Sequence, residues 1–365
     1  MKKLLALILL FLAIPLPAQA STEIRLVTTP TRLLDGTFRN DSLFQDLLPD
    51  GKFGKFVFTP SPGAHTWIMD PEFIDEVADM SDGYRLMNKE QPQGQEVAKN
   101  FLTRLQVVSA SDVVIALPFG NPDRTLANQL APSELRFYTE VGKSVLENHL
   151  RRAVSVAPGF SKGKSFASNP QKAQYTKARR AIARIMTVVP ESELLAIRSQ
   201  AAVLLSPKLN KSDRMYFYYH AGLAIEKLEA KLRISPGKYQ LTSEKSKMPI
   251  TLINDHNAPV TVNLQLIPIN FRITVENAEN VTIPPKSRLQ LSIPFTVRAP
   301  GPTTITAQLT NSKGVVISPS SELAIKSTII DSRVAWFTTA AGVLLLFAGI
   351  IQSLKRVRRA KHEGS

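Results

Sequence analysis

Two carboxylates stand where an α/β fold could use them. Asp70 ends the apolar run His65–Met69 and precedes Pro71, and Asp123 follows the apolar run Asp112–Phe119 and the pair Asn121-Pro122. Two carboxyl groups about 5 to 9.5 Å apart can cleave a glycosidic bond, one as general acid and the other as nucleophile or base. Trp67, Tyr84 and Phe119 lie close by in sequence and offer ring faces of the kind sugar subsites use. The alternative is structural. Asp70-Pro71-Glu72 and Asn121-Pro122-Asp123 each set out a capping side chain, a proline and an acid in helix-start order. In that case Asp70 and Asn121 cap helices, Asp123 complements a helix dipole, and Trp67 packs in a core.

Metal-assisted hydrolysis has less support. The histidines are His65, His149, His220, His256 and His362, no two within five residues of each other. Neither HxxxH nor HExxH occurs, so neither a metal nor a cofactor is expected. The chain has no cysteine, which excludes thiol catalysis, disulfides and thiolate-ligated metals. The stretch "PGFSKGKS" imitates a phosphate-binding loop, but the pattern needs glycine at 158, where the chain has Pro158.

The elements that would hold these residues follow from periodicity. Over 21–163 strands alternate with helices: a strand His65–Met69, a helix from Pro71 to about Met80, a helix Glu96–Val108, and a strand within Asp112–Phe119. Successive strand–helix units imply a parallel sheet, here a partial (β/α)-barrel-like domain, with both carboxylates at strand C-terminal ends. A Gly/Ser/Pro-rich loop spans Val156–Gln171, and 164–233 reads as a helical segment with helices over 171–188, 192–205 and 212–232. The first of these carries Lys172, Lys177, Arg179, Arg180 and Arg184, either a solvated face or an anion-binding one. Over 234–330 short alternating runs such as "SRLQLSIPFTV" and "TTITAQLT" recur at about ten-residue spacing, which predicts an antiparallel immunoglobulin-like β-sandwich.

Both ends point to a membrane. Residues 1–20 have Lys2 and Lys3, an apolar run and a final "AQA", the pattern of a secretory signal peptide. Residues 334–354 carry no charge, enough to cross a ~30 Å hydrocarbon core as one helix, and 355–365 form a basic tail expected on the cytoplasmic side. The formal charge of +15 is therefore partly topological. Setting aside Lys2, Lys3, Arg333, the five tail cations and Glu363 leaves 37 basic and 29 acidic residues, +8 for the body. Anionic envelope polymers or lipid headgroups suit such a field. Nucleic acid is not expected as a partner.

The segments "TWIMDPEFIDEVADMSDGY", "VVIALPFGNPD" and "MPITLINDHNAPVTVNLQL", with the closing order of sandwich, span and basic tail, resemble a large exported, membrane-anchored family of unknown function from high-GC Gram-positive bacteria. The resemblance covers about Phe58 to the C-terminus. It implies a polysaccharide-deacetylase-like α/β domain, a β-sandwich and an anchor. It also implies a link to cell-envelope assembly, since such genes often lie beside the lipid II flippase gene. The expectation is a non-catalytic glycan- or protein-binding module at the cell membrane, with its body outside. The competing expectation is a glycan hydrolase or deacetylase-like enzyme using Asp70 and Asp123.

Overall fold

The computed structural model describes residues 21–156, 163–328 and 332–362. The expected signal peptide and residues 157–162, in the first part of the Gly/Ser/Pro-rich loop, lie outside the described residues. The chain divides into two compact units, Met1–Leu228 and Glu229–Ser365.

The first unit is built on a parallel sheet. Strand β1 (Thr22–Leu26) leads through two short helices, α1 (Leu43–Leu47) and α2 (Gly54–Phe58), to β2 (His65–Met69). Helices α3 (Pro71–Asp82) and α4 (Gln95–Val108) then precede β3 (Val113–Ala116). Helices α5 (Arg124–Leu130) and α6 (Pro132–Leu150) follow, then the short β4 (Ser155–Val156). The four strands pair in chain order, β1-β2-β3-β4, all parallel, and the two outer strands do not pair with each other. Among the described residues the sheet is thus an open run of β/α units, not a closed barrel. Short apolar strands with helices between them leave little other choice, because a parallel pair needs a crossover.

One core fills the space between this sheet and its helices. It joins Ile24, Leu26, Trp67, Met69, Val114 and Ala116 from the strands to Phe73, Val77, Phe101, Leu105 and Leu146 from α3, α4 and α6. Helix α6 comes close to the strand ends at Gly142, where a Cβ would sit 2.9 Å from the Leu117 carbonyl oxygen and from Pro71 Cγ. Any larger residue there would push α6 off the Asp70-Pro71 turn.

The helices expected as a separate segment over 164–233 belong to this same unit. Helix α7 (Asn169–Ile185), α8 (Glu191–Gln200), the 3₁₀ turn Ala201–Leu205 and α9 (Lys211–Ala230) bring Tyr175, Val203, Leu204, Leu205 and Phe217 against Leu33, Leu34 and Leu126. The apolar face of the turn Ala201–Leu205 requires that burial, since all five of its residues are buried. The Val189-Pro190 break falls as the sequence places it, and Ser168 forms a reciprocal capping box with Gln171 at the start of α7.

The second unit is a β-sandwich. Sheet order is β10-β8-β12-β13-β6 in one layer and β5-β7-β11-β9 in the other. The strands are β5 (Leu232–Ile234), β6 (Gly237–Leu241), β7 (Lys245–Asn254), β8 (Val260–Pro268), β9 (Ile273–Val275), β10 (Ala278–Ile283), β11 (Ser287–Val297), β12 (Gly301–Thr310) and β13 (Ser321–Ser327). Alternate residues face inward, for example Val260, Val262, Leu264 and Leu266 on β8 and Ile305, Ala307 and Leu309 on β12. The expected antiparallel pattern has one exception. β13 pairs with β6 in parallel: after β5 in the other layer, the unit's second strand takes the edge next to its last strand.

Asn254 holds one end of this sandwich. It is fully buried, and its Nδ2 donates to the carbonyls of Ala258, Pro284 and Ile283 at 2.9, 3.0 and 3.1 Å, while Oδ1 accepts from the His256 N–H at 2.9 Å. Replacing it with alanine leaves these buried backbone groups without that partner. Asn254→Ala is expected to destabilise the sandwich by about 2–3 kcal/mol, read as a lowered urea midpoint. No midpoint shift would show that water replaces the amide.

The last helix, α10 (Ser332–His362), contains the expected span. Its window Trp336–Ser353 has a mean hydropathy of 1.6 and none of it is buried within the protein. This is the one helix among the described residues long and apolar enough to cross a membrane.

Candidate functional site

Asp70 and Asp123 sit where the sequence puts them, at the C-terminal ends of β2 and just beyond β3. Neither lies in an open cleft. Asp70 is 2% exposed, and its Oδ1 accepts the N–H of Glu72 and the N–H of Gly120, both at 3.0 Å. It caps α3 and fastens the loop after β3 to it. Asp123 is buried, with Oδ1 accepting from the Leu126 N–H at 3.0 Å and Oδ2 from the Ser165 N–H at 2.6 Å. An open pair flanking a sugar bond is therefore not formed, because both carboxyl groups are engaged by backbone donors. The cap of α5 is Asp123, not Asn121 as the sequence pattern suggests. Gly120 and Asn121 both have positive φ, 69° and 42°, and this turn delays the helix by two residues.

Burial lifts the Asp70 carboxyl well above its usual range, with the neighbouring Glu72 adding to the rise and the two N–H donors opposing it. Asp70→Asn keeps an oxygen for both N–H groups, so its melting temperature is expected to stay near that of the natural chain. Asp70→Ala loses the cap and leaves a buried Gly120 N–H open, and is expected to cost about 2 kcal/mol. Equal losses in both variants would show that the carboxyl itself, not its acceptor oxygen, is needed.

The three aromatic candidates are packing residues. Trp67 is fully buried, and its indole N–H donates to Asp112 Oδ2 at 2.9 Å. Phe119 packs with Tyr138, Val141 and Ala202. Tyr84 is buried against Phe38 at a 4.8 Å ring separation; its hydroxyl donates to Asp41 and accepts from the Gly94 N–H at 3.0 Å. None offers an exposed ring face to a sugar.

The structure assembles a different constellation at the same end of the sheet. Arg32, in the segment after β1, lies buried among Glu72, Asp75 and Asp79 of α3. Its guanidinium meets Asp75 at 2.7 Å, Asp79, Gln200 at 3.1 Å, and Glu72 at 3.7 Å. Gln200 also donates to Glu72 at 3.1 Å and to the Arg32 carbonyl at 3.0 Å. Glu76 accepts from the N–H and hydroxyl of Thr31, and His149 Nε2 is 3.1 Å from Asp75. Burial pushes Glu72 up to about 8, helped by the charge of Glu76 and opposed by Arg32. Burial likewise lifts Glu76 to about 7 against the Thr31 hydrogen bonds. At Asp75 burial is outweighed by His149 and Arg32, and its carboxyl is held below the usual range. The spacing 72, 75, 76, 79 is visible as one helix face in the sequence, but Arg32 and Gln200 are not visible as its partners. Among the described residues no group of three or more His, Cys, Asp or Glu is placed to hold a metal.

A small pocket of about 100 Å³ opens between α7, α6 and α8, lined by Glu134, Tyr138, Arg179, Ile182, Met186 and Arg198, with Ala183 and Ala201. Arg198 is committed: it grips Glu134 through two bonds of 3.0 and 3.2 Å and reaches Glu191 at 2.6 Å. Arg179 is not. Its Nε–H is buried without a hydrogen-bond partner. Of the five cations on this helix, Arg179 is the one that lines this pocket, and the volume suits a few waters or one small anion.

A family profile matches residues 123–362. The chain belongs to DUF6049, a family of unknown function. The matched residues run from the cap of α5 to the end of α10, so they include the pocket helices, the sandwich and the apolar helix. Strands β1 to β3 lie outside the family match. No curated protein matches the chain. Solved structures similar to it include WR4, an MSP family member of C. elegans, at 9% identity, covering 27% of this chain and 99% of that one. Others are E. coli alpha-2-macroglobulin (15%, covering 27% and 6%) and the CARDB domain of PF1109 from Pyrococcus furiosus (13%, covering 27% and 94%). All three have a TM-score of 0.22, too low to bear on fold or function.

Proposed function

We propose that this DUF6049 member is a membrane-anchored binding module of the cell envelope, with the α/β unit and the β-sandwich outside the membrane and the basic tail in the cytoplasm. The observation that carries this is α10, whose apolar window is wholly unburied by the protein and is followed by Lys355, Arg356, Arg358, Arg359 and Lys361. A helix of that kind needs lipid around it. The non-catalytic side of the proposal rests on Asp70 and Asp123, both spent on backbone N–H groups. The Arg179 pocket is where an anionic group of an envelope glycan or of a protein partner would bind. The chain-ordered parallel sheet carries the partial-barrel side of this reading, and its deacetylase-like character rests on the sequence resemblance alone.

The full chain in detergent or nanodiscs should be incubated with peptidoglycan and anionic envelope polysaccharides, scoring retention and released products together. Retention without products, weakened in Arg179→Gln and unchanged in Asp70→Asn, is the expected result. Products that vanish in Asp70→Asn would make the protein a glycan-active enzyme. Accessibility of the units to added protease on intact cells tests the orientation.

A further inference from the structure

The sandwich exposes its most apolar residues at one end. Phe271 is 97% exposed, the most exposed large apolar residue described, and Ile269 is 65% exposed. Both lie in the β8–β9 turn. The pairing places that turn within the unit. The Ile269 N–H donates to the Thr304 carbonyl, and Arg298 and Ala299 donate to the Arg272 carbonyl. Arg272 in turn donates to Pro300, next to Gly301. Gly301 pairs with Ser327, the last residue of β13, and the Thr328 N–H donates to Leu241 at the end of β6. The turn, the start of β12 and the exit of the chain from the sandwich therefore share one end.

That exit leads to the apolar helix. From Thr328 to the start of α10 at Ser332 is four residues, at most about 14 Å of chain. From Ser332 to Trp336 adds about 6 Å of helix. The Phe271 end thus lies within about 20 Å, along the chain, of the apolar window. Lys245, Arg272, Arg298 and Lys326 are exposed at this same end; among the described residues the exposed acids near them are Glu244 and, just past β9, Glu276, and the sequence adds Asp331 in the exit segment. The opposite end, with the Asp255–Ala258 and Asn311–Val315 turns, has no exposed aromatic residue. Apolar tips ringed by cations suit the boundary of an anionic lipid surface.

We propose that this end of the sandwich rests on the bilayer that holds α10, with Phe271 and Ile269 entering the headgroup region and the four cations facing anionic lipid. The proposal depends on α10 being the anchor. The absence of cysteine makes its test clean. Single-cysteine chains Phe271→Cys, Lys313→Cys and Gly349→Cys are labelled with an environment-sensitive dye. They are then reconstituted in vesicles of phosphatidylcholine with or without phosphatidylglycerol. The expected result is a blue-shifted label at 271, quenched by spin-labelled lipid at shallow depth, more so with phosphatidylglycerol. The label at 349 is quenched at depth and the label at 313 not at all.

A label at 271 as wet as that at 313, beside a quenched label at 349, would overturn the proposal and leave the anchor standing. An unquenched label at 349 would remove the anchor and the proposal together. Protection of 271 that depends on protein concentration and not on lipid would assign the tip to a second copy instead.

Discussion

Arg32→Met is expected to destabilise the first unit by about 3–5 kcal/mol, the largest loss of any single substitution considered. The guanidinium is the only cation among the described residues that reaches Glu72, which is 1% exposed, and it also holds Asp75 and Asp79. A well-packed apolar side chain of similar length cannot compensate, because it leaves the acids of α3 in place. Arg32→Lys should recover only part of the loss. A single ammonium lacks the planar fork that meets Asp75 with one nitrogen and Asp79 with the other. The readout is urea unfolding followed by the fluorescence of Trp67, buried in this unit, in a Trp336→Phe background. With a urea slope of about 1–3 kcal/mol per molar, the midpoint should fall by roughly 2 M. A shift worth under about 1 kcal/mol would mean that the network is solvated and contributes no more than a surface pair.

This network also marks the limit of what the sequence shows. Local signals were legible. Asp70-Pro71 begins α3, β11 spans Ser287–Val297 as the alternation predicts, and the apolar stretch after Val334 is helical. Each depends on residues within one turn or one strand, where spacing decides the outcome. Legibility fails where partners come from far along the chain. The acids at 72, 75, 76 and 79 fall on one helix face by spacing, but nothing local indicates that a segment 40 residues earlier delivers Arg32 onto them. The same gap hid Gln200, and it left Arg179 indistinguishable from the other cations of α7. It also promoted Trp67 and Phe119 as sugar platforms, since a sequence does not say which face of a sheet is covered. β10 escaped for another reason. It is an edge strand, "AENVTI", with adjacent exposed polar residues Glu279 and Asn280 and a register shift between Ala278 and Val281, so alternation hardly marks it.

The pH dependence of the same unit follows from its buried acids, and its sign is opposite to that of an ordinary salt-bridged protein. Glu72 and Glu76 have folded values near 8 and 7 against 4.5 for a free glutamate. Between those limits the folded chain holds protons that the unfolded chain has released, so stability falls as pH rises. The contribution is complete below about pH 4.5 and is lost as pH climbs through 7 and 8. Counting one proton for the adjacent pair, the first unit should lose on the order of 4 kcal/mol between pH 5 and pH 8. Asp75 and Asp112 work the other way, but their carboxyls are held below 3.8, so their loss falls at lower pH and outside this window. Glu72→Gln keeps an oxygen for Gln200 and removes one buried ionisation. It should flatten the profile and be more stable than the natural chain at pH 8, while differing little at pH 5. Thermal melts at four pH values on both chains decide the matter. A natural chain whose melting temperature holds or climbs from pH 5 to pH 8 would show that water reaches Glu72 and Glu76. The Arg32→Met loss should then be as large at pH 6 as at pH 8, whereas buried acids make it larger at pH 8, where both carboxylates must carry charge without their cation.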